Sequence, residues 1–403
     1  MKRRLALILM CGSALSASAA EPPVSYIPPR DQHRAEVLWT RPICIETNRY
    51  VGWPTVATLR NGEVLAVFSG DRDYHVCPWG KVQLIRSKDG GETWSEPRTI
   101  ANGPIDDRDA GIVELPDGEL LVVYFTSVAY RSKKLLETKW EPHTRQYWMV
   151  RHDEKIPEEV RTAALGIFCV RSRDGGKTWS KPEKMSVKGQ TPHGPILLRD
   201  GALLQIGKAD KPPTPTFMLI PQKDRTGITA SRSTDGGRTW ELLCQNIAAP
   251  TDDPERQVYC EPHVAELADG TLIALVRYHG PGGCMRQATS KDGGRTWTRM
   301  HDSGLKGHPP HLLQLKDGKV LAVYGRRVAD PGFGEFAAIS DDGGRTWDVA
   351  NEICLAPSHN GDLGYPSTCV LPDGTLLTVY YQQQRPAHGE RPCIMATKWR
   401  LKR

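Results

Sequence analysis

One eight-residue phrase recurs five times in this chain of 403 residues, and every copy ends in tryptophan. It reads SKDGGETW at 87–94, SRDGGKTW at 172–179, STDGGRTW at 233–240, SKDGGRTW at 290–297 and SDDGGRTW at 340–347. The residue types are those of a tight turn between two strands. Asp accepts hydrogen bonds from nearby backbone N–H groups, and the Gly pair supplies the φ > 0 conformations that other residues avoid. Trp offers a large apolar body with one N–H donor, suited to the gap between neighbouring sheets. A repeated turn implies a repeated supersecondary unit. The five Asp and five Trp therefore read as structural residues rather than catalytic ones.

A second repeat runs in step with the first: an apolar strand, a Gly turn and another apolar strand. The copies are TVATLRNGEVLAVF (55–68), GIVELPDGELLVVY (111–124), GPILLRDGALLQIG (194–207), HVAELADGTLIALV (263–276), HLLQLKDGKVLAVY (311–324) and STCVLPDGTLLTVY (367–380). Asn-Gly or Asp-Gly between apolar runs is a strong hairpin signal. The phrase Ser-x-Asp-Gly-Gly-x-Thr-Trp resembles the Asp-box of the sialidase superfamily, whose members are β-propellers. With that resemblance, six hairpins and five boxes imply an all-β fold: a six-bladed propeller with four antiparallel strands per blade, the sixth blade lacking its box. CIMATKWRL (393–401) is then the third strand of the last blade, and EVLWTRP (36–42) its outer strand. The two ends of the chain would close the ring and so remove exposed strand edges.

The start of the sequence reads as a secretory signal over 1–20. Lys2, Arg3 and Arg4 are followed by an apolar stretch and small residues before Glu21. Cys11 suggests a lipoprotein, but Met10 before it is too large for a good lipobox. The expectation is an exported chain, secreted or periplasmic, with 21–403 as a single propeller domain. No other segment has the length of a membrane span. There are 53 Lys and Arg against 47 Asp and Glu, or 50 against 47 without the three leader cations. That balance argues against a nucleic-acid partner. The ten cysteines are scattered singly, with no CxxC pair, so neither a zinc site nor a disulfide scaffold is indicated. One or two disulfides would be compatible with export, and buried small hydrophobes are the plainer reading. No metal or cofactor is expected, and the sequence carries no sign of oligomeric state.

One segment breaks the rhythm. About forty residues, 127–165, separate the blade-two hairpin from its box strand. They contain Tyr130, Trp140, Tyr147 and Trp148, and 153–165 reads as a short helix with Asp153 as its cap. Long insertions in repeat folds often lie on the binding face. An aromatic wall over a pocket and a packing arm are equally compatible with these residues.

The resemblance covers essentially the whole mature chain and implies an active site at the propeller axis, where the inner strands begin. Sialidases carry a Tyr at a fixed distance before the last hairpin turn, matched here by Tyr365, and a Glu at the start of the blade-four hairpin, matched by Glu261. A phenol suits attack on an anionic sugar, because a carboxylate nucleophile would be repelled, and a nearby Glu can take its proton. The family's general acid, an Asp in the blade-one loop, falls near His75, with Asp73 two residues away; both are candidates. The substrate carboxylate is held in the family by three arginines. The first is absent, because Gly52-Trp53-Pro54 stands where the family has Arg-Ile-Pro. The second is approximated by Arg286, one residue out of step, and the third has no match, since Glu335 and Phe336 stand there. Arg108, Arg72 and Arg326 are the nearby replacements, with Asp107 beside Arg108. His193, His263 and His311 stand at the starts of inner strands and suit sugar hydroxyls, proton transfer or a shared metal.

Three readings follow. The first is an exo-acting hydrolase whose partner is a sialylated or other acidic glycan. The second is a polysaccharide lyase acting on uronates, and the third a glycan-binding propeller without catalysis. Their products separate them: a free sugar, an unsaturated uronate, or nothing.

Overall fold

Each Gly-turn hairpin forms the inner pair of a four-stranded antiparallel sheet, and six such sheets stand as blades around one axis. The computed structural model describes residues 29–131, 142–210, 225–247, 259–329, 332–383 and 391–402. The leader expected at 1–20, and Trp140, lie outside the described residues. The inner strands of blades one to six are Tyr50–Thr58, Asp106–Glu114, Ile196–Leu197, Tyr259–Glu266, Pro310–Gln314 and Leu363–Val370. The ring closes as the repeats imply. Ala35–Cys44 pairs antiparallel with Pro392–Leu401, from Ala35 opposite Leu401 to Cys44 opposite Ile394.

The apolar face of each sheet is buried against the next blade, so the core is a ring of separate clusters between blades rather than one. The cluster between blades one and two joins Leu65, Val67 and Leu84 to Ile112, Leu120 and Val122. Trp179, from the blade-two box, packs against it. The first four boxes are built alike, while in the fifth Trp347 Nε1 donates to Gln287 Oε1 (2.8 Å). In the third, Ser233 Oγ donates to Asp235 Oδ1 (2.8 Å), which also accepts from the Thr239 N–H (2.9 Å). Thr239 Oγ1 donates to Asp235 Oδ2 (2.6 Å), and Trp240 Nε1 donates to the Gly237 carbonyl (3.1 Å). Gly236 and Gly237 have φ of 71° and 82°. No box residue lines the axial pocket described below.

The insertion is a packing arm where it is described. It forms helices at Pro142–Arg151 and Glu158–Ala164 with a 3₁₀ turn at Asp153–Lys155. The single helix expected over 153–165 is thus broken, because Pro157 begins the second helix and lacks the N–H to continue one from before. Asp153 is not a cap. It is buried and accepts from Arg161 Nη1 (3.1 Å) and Tyr130 Oη (3.2 Å). Tyr130 and Trp148 are buried with Val76, Ile105, Val128 and Ala129, so they hold the arm to the ring. Tyr147 is 49% exposed. All nine described cysteines are free thiols, most of them buried.

Candidate active site

Trp53, Asp109, Glu261 and Tyr365 occupy equivalent places. Each stands nine residues before the glycine of its hairpin turn, Gly62, Gly118, Gly270 and Gly374. Each has a left-handed backbone, with φ of 57°, 50°, 46° and 54°. Only two other non-glycine residues share that conformation among the described residues. The strand register slips at all four places, so each is a β-bulge that re-aims a side chain. Such strain collects at functional sites, where the surrounding structure over-determines it.

Above them lies a cavity of about 720 Å³ at the axis, lined by Asp109, Glu261 and Tyr365 together with His75, Arg108, Lys208, Arg277, His308, Arg327 and Asp362. Trp53 lies beneath, wholly buried, with the Arg108 guanidinium 4.4 Å from its ring centroid. Tyr365 Oη donates to Glu261 Oε1 (2.7 Å), and Arg277 Nη1 donates to Glu261 Oε2 (2.5 Å). Burial pushes the Glu261 carboxyl up, but Arg277 and the Tyr365 hydroxyl outweigh it and hold it down at about 2. Burial, with Glu261 and Asp109 nearby, keeps the Tyr365 phenol protonated far above its ordinary range. Asp109 behaves oppositely to Glu261. Burial raises it to about 7 against the pull of Arg108, whose Nε is 3.7 Å from Asp109 Oδ1. That separation is too long for a hydrogen bond, and both atoms are without a protein partner. They are a buried acid and a buried donor facing the cavity.

His75 is also at the wall. Tyr50 Oη donates to Asp362 Oδ1 (2.7 Å) and lies 2.9 Å from His75 Nδ1, so Nδ1 carries the proton. Burial lowers His75 to about 4, with Arg108 and Arg327 adding to the fall. It is therefore neutral near neutral pH, although 42% of its side chain meets solvent.

The other sequence candidates lie elsewhere. Asp73 is turned into a separate groove beside Tyr74 and Tyr147, where its carboxylate is bound by Arg49 and by Trp148 Nε1 (2.9 Å). Arg72 is fully buried and paired through both terminal nitrogens with Asp106, one contact being 2.8 Å. Asp107 is buried outside the pocket and accepts from the Gly103 N–H (2.6 Å). Arg286 pairs with Asp302 (2.7 Å) on the outer strand of blade four, since one residue of register puts it on the far face of its strand. Arg326 faces Glu352 and Phe336 for the same reason, while Arg327 lines the pocket. His193, His263 and His311 sit below the pocket as a buried stack, with ring centroids 4.3–5.6 Å apart. His193 Nδ1 meets Thr55 Oγ1 (3.0 Å), and His263 Nδ1 accepts from the Leu312 N–H (3.0 Å). Gly111 permits this closeness, since a Cβ there would lie 2.1 Å from the His193 carbonyl oxygen. No set of His, Cys, Asp and Glu among the described residues has the arrangement of a metal site.

Asp109 and Arg277 were not among the site candidates of the sequence reading. The signal for Asp109 was present, because the nine-residue count that selects Glu261 and Tyr365 selects it too. Arg277 and Lys208 each stand seven residues after their turn glycines, Gly270 and Gly201, on the strand beside the inner one.

The sequence profile of the BNR repeat-like domain matches residues 155–378. A sialidase of Bacteroides fragilis is 28% identical over 358 residues, which is 81% of this chain and 59% of that protein. The chain thus spans about three-fifths of the length of that relative. Among solved structures, a protein of unknown function from Dyadobacter fermentans superposes with a TM-score of 0.69 at 23% identity, over 91% of this chain and 99% of that one. The NanB sialidase of Streptococcus pneumoniae gives a TM-score of 0.62 at 15% identity, over 91% of this chain and 70% of that one. At such identities the structural likenesses bear on the fold. No helix among the described residues is long and apolar enough to cross a membrane.

Proposed function

We propose, from the premise that this chain belongs to the BNR repeat-like domain family of the sialidase superfamily, that it is an exo-acting, sialidase-like glycoside hydrolase. Its substrate is a glycan ending in an acidic sugar, sialic acid foremost. The observation that carries this reading is the bonded row Tyr365–Glu261–Arg277 in a pocket also lined by Arg108, Arg327 and Lys208. Several cations with few ionised carboxylates form a receptor for an anion.

The chemistry follows from the protonation states. Tyr365 Oη attacks the anomeric carbon and passes its proton to Glu261, so no two anions meet. The bond to the leaving oxygen breaks as Asp109 gives that oxygen its proton. Water then attacks the tyrosyl-linked sugar and returns a proton to Asp109, while Glu261 returns one to Tyr365. Glu261 is a weak base in the empty pocket because Arg277 holds it. A substrate carboxylate that shares Arg277 weakens this hold and raises the basicity of Glu261. The basic, apolar start of the sequence supports export to the periplasm or beyond. The uronate-lyase reading keeps His308, which lines the pocket, but not His193, His263 and His311, which are buried beneath it.

Incubation with 3′-sialyllactose, with products read by mass spectrometry, tests the reading. Free sialic acid is expected, with turnover falling as pH rises through about 7 and Asp109 loses its proton. Tyr365→Phe should lower turnover by about three orders of magnitude or more with the fold intact. A variant with near-normal turnover would remove Tyr365 from the nucleophile's role. An unsaturated product from uronate glycans, without sialic acid release, would replace the hydrolase by the lyase.

A further inference from the structure

We propose that Trp53 is the positioning residue for Arg108: its buried ring holds the guanidinium at the edge of the axial cavity, ready for the anionic group of the sugar. The inference rests on the anionic substrate proposed above. The place where the family has its first arginine, Gly52, faces the Tyr50 and Tyr381 rings, each 3.4 Å from where a Cβ would lie. A cation reaches the cavity from the inner strand of blade two instead, on Arg108.

Arg108 has little else to tie it down. Its carboxylate contacts, 3.9 Å to Asp106 and 3.7 Å to Asp109, are longer than hydrogen bonds, and its Nε is buried without a partner. What it does touch is Trp53. The guanidinium carbon lies 4.4 Å from the ring centroid, within the range of a cation–π contact. Arg72 lies over the same ring at 5.0 Å, but Asp106 takes both of its terminal nitrogens. Arg72 is therefore fixed without the ring, whereas Arg108 depends on it.

Trp53 serves as a support because it is itself firmly held. It is wholly buried, outside the cavity lining, and its backbone is left-handed with φ of 57°. A bulky residue keeps that conformation only where its neighbours over-determine it. Here they do so with rings. Tyr50 stacks at 5.6 Å between centroids, Tyr381 lies at 5.7 Å, and His75 and Tyr365 meet the indole edge to face at 4.9 and 6.2 Å. One side chain thus supports the cation that grips the sugar and packs against the phenol that attacks it. Holding Arg108 in place before the ligand arrives saves the ordering of a long side chain on binding. Among aromatic side chains, Trp offers the strongest face for a cation.

The test is a double-mutant cycle on the full-length protein: wild type, Trp53→Leu, Arg108→Ala and the two together, with Trp53→Phe as the conservative variant. Leu and Phe are chosen because neither is β-branched, which a left-handed backbone tolerates least. Thermal melting establishes that each variant is folded. In calorimetric titration with N-acetylneuraminic acid, Trp53→Leu should weaken affinity about two- to thirtyfold, and Trp53→Phe should recover part of the loss. Once Arg108 is replaced by Ala, removing the ring should have little further effect, because the two residues act as one unit. Additive losses, or an unchanged affinity in Trp53→Leu, would overturn the proposal. The nitrogen-15 relaxation of the Arg108 Nε–H, assigned by its loss in Arg108→Ala, gives a readout without ligand. Its order parameter should be near the rigid value of about 0.85 in the wild type and fall below about 0.6 in Trp53→Leu. Should Trp53→Leu not fold, Trp53→Phe carries both measurements, with smaller losses of affinity and rigidity, the former vanishing beside Arg108→Ala. If the wild type does not bind N-acetylneuraminic acid, the sialic acid reading fails and relaxation decides alone: an Arg108 as rigid without the indole as with it overturns the proposal.

Discussion

Arg72 and Arg108 both lie over Trp53, at 5.0 and 4.4 Å from its ring, yet their environments assign them different work. Arg72 is sealed from solvent and committed to Asp106. Arg108 has only long contacts, 3.9 Å to Asp106 and 3.7 Å to Asp109, and its Nε is unbonded at the edge of the cavity. Arg72→Ala should destabilise the fold by about 3–5 kcal/mol, because it leaves Asp106 buried without its partner. Arg108→Ala should barely move the melting temperature and should weaken substrate binding about ten- to a hundredfold, the worth of a charge-assisted hydrogen bond. Arg108→Lys should recover part of this, since an ammonium cannot form the planar fork. Melting and calorimetric affinity on all three variants check both halves. A large fall in melting temperature for Arg108→Ala would make it a structural partner of the Asp106–Asp109 run.

At the scale of the element, the Asp-box is a turn closed by one carboxylate. Asp235→Ala removes acceptors for the Arg238 and Thr239 N–H groups and for the Thr239 hydroxyl. The expected loss is about 1–2 kcal/mol, because these groups lie near solvent and water replaces part of the bonding. Thermal melting should show the loss, and KM should not change. A selective fall in activity at unchanged stability would place the box in the site. Such turns were legible in the sequence because their causes are local: a Gly pair, an Asp, and apolar runs on either side. The pocket was legible only where counting sufficed. Glu261 and Tyr365 follow from their distance to a turn, and Asp109 would have followed from the same count. Arg286 and Asp73 lie away from the axial cavity because the direction of a side chain is set by register and by bulges, which neighbouring strands impose. Arg277 reaches Glu261 only through the pairing of two strands, a contact that composition and motif do not express.

For the whole molecule, the stack of His193, His263 and His311 makes the axis sensitive to acid. Burial lowers all three, His311 to about 3 and the others well below their ordinary value. The folded state keeps them neutral, while an unfolded chain takes protons below about pH 6.5. Their stabilising effect is therefore fully present above that value and is lost as pH falls toward the folded-state range. Three such groups allow a slope of up to about 4 kcal/mol per pH unit. Denaturant unfolding as a function of pH should show this fall, flattened by one proton in His311→Gln. A flat profile through this window would mean that the imidazoles are already charged in the folded ring. Ring closure has its own consequence. Ala35–Cys44 emerges during synthesis before any blade exists, yet its partner Pro392–Leu401 follows all the others. The last blade is thus a clasp that fastens only after the strands of the other five blades have been made. Until Pro392–Leu401 has been made, the strand edge it covers stays open to pairing.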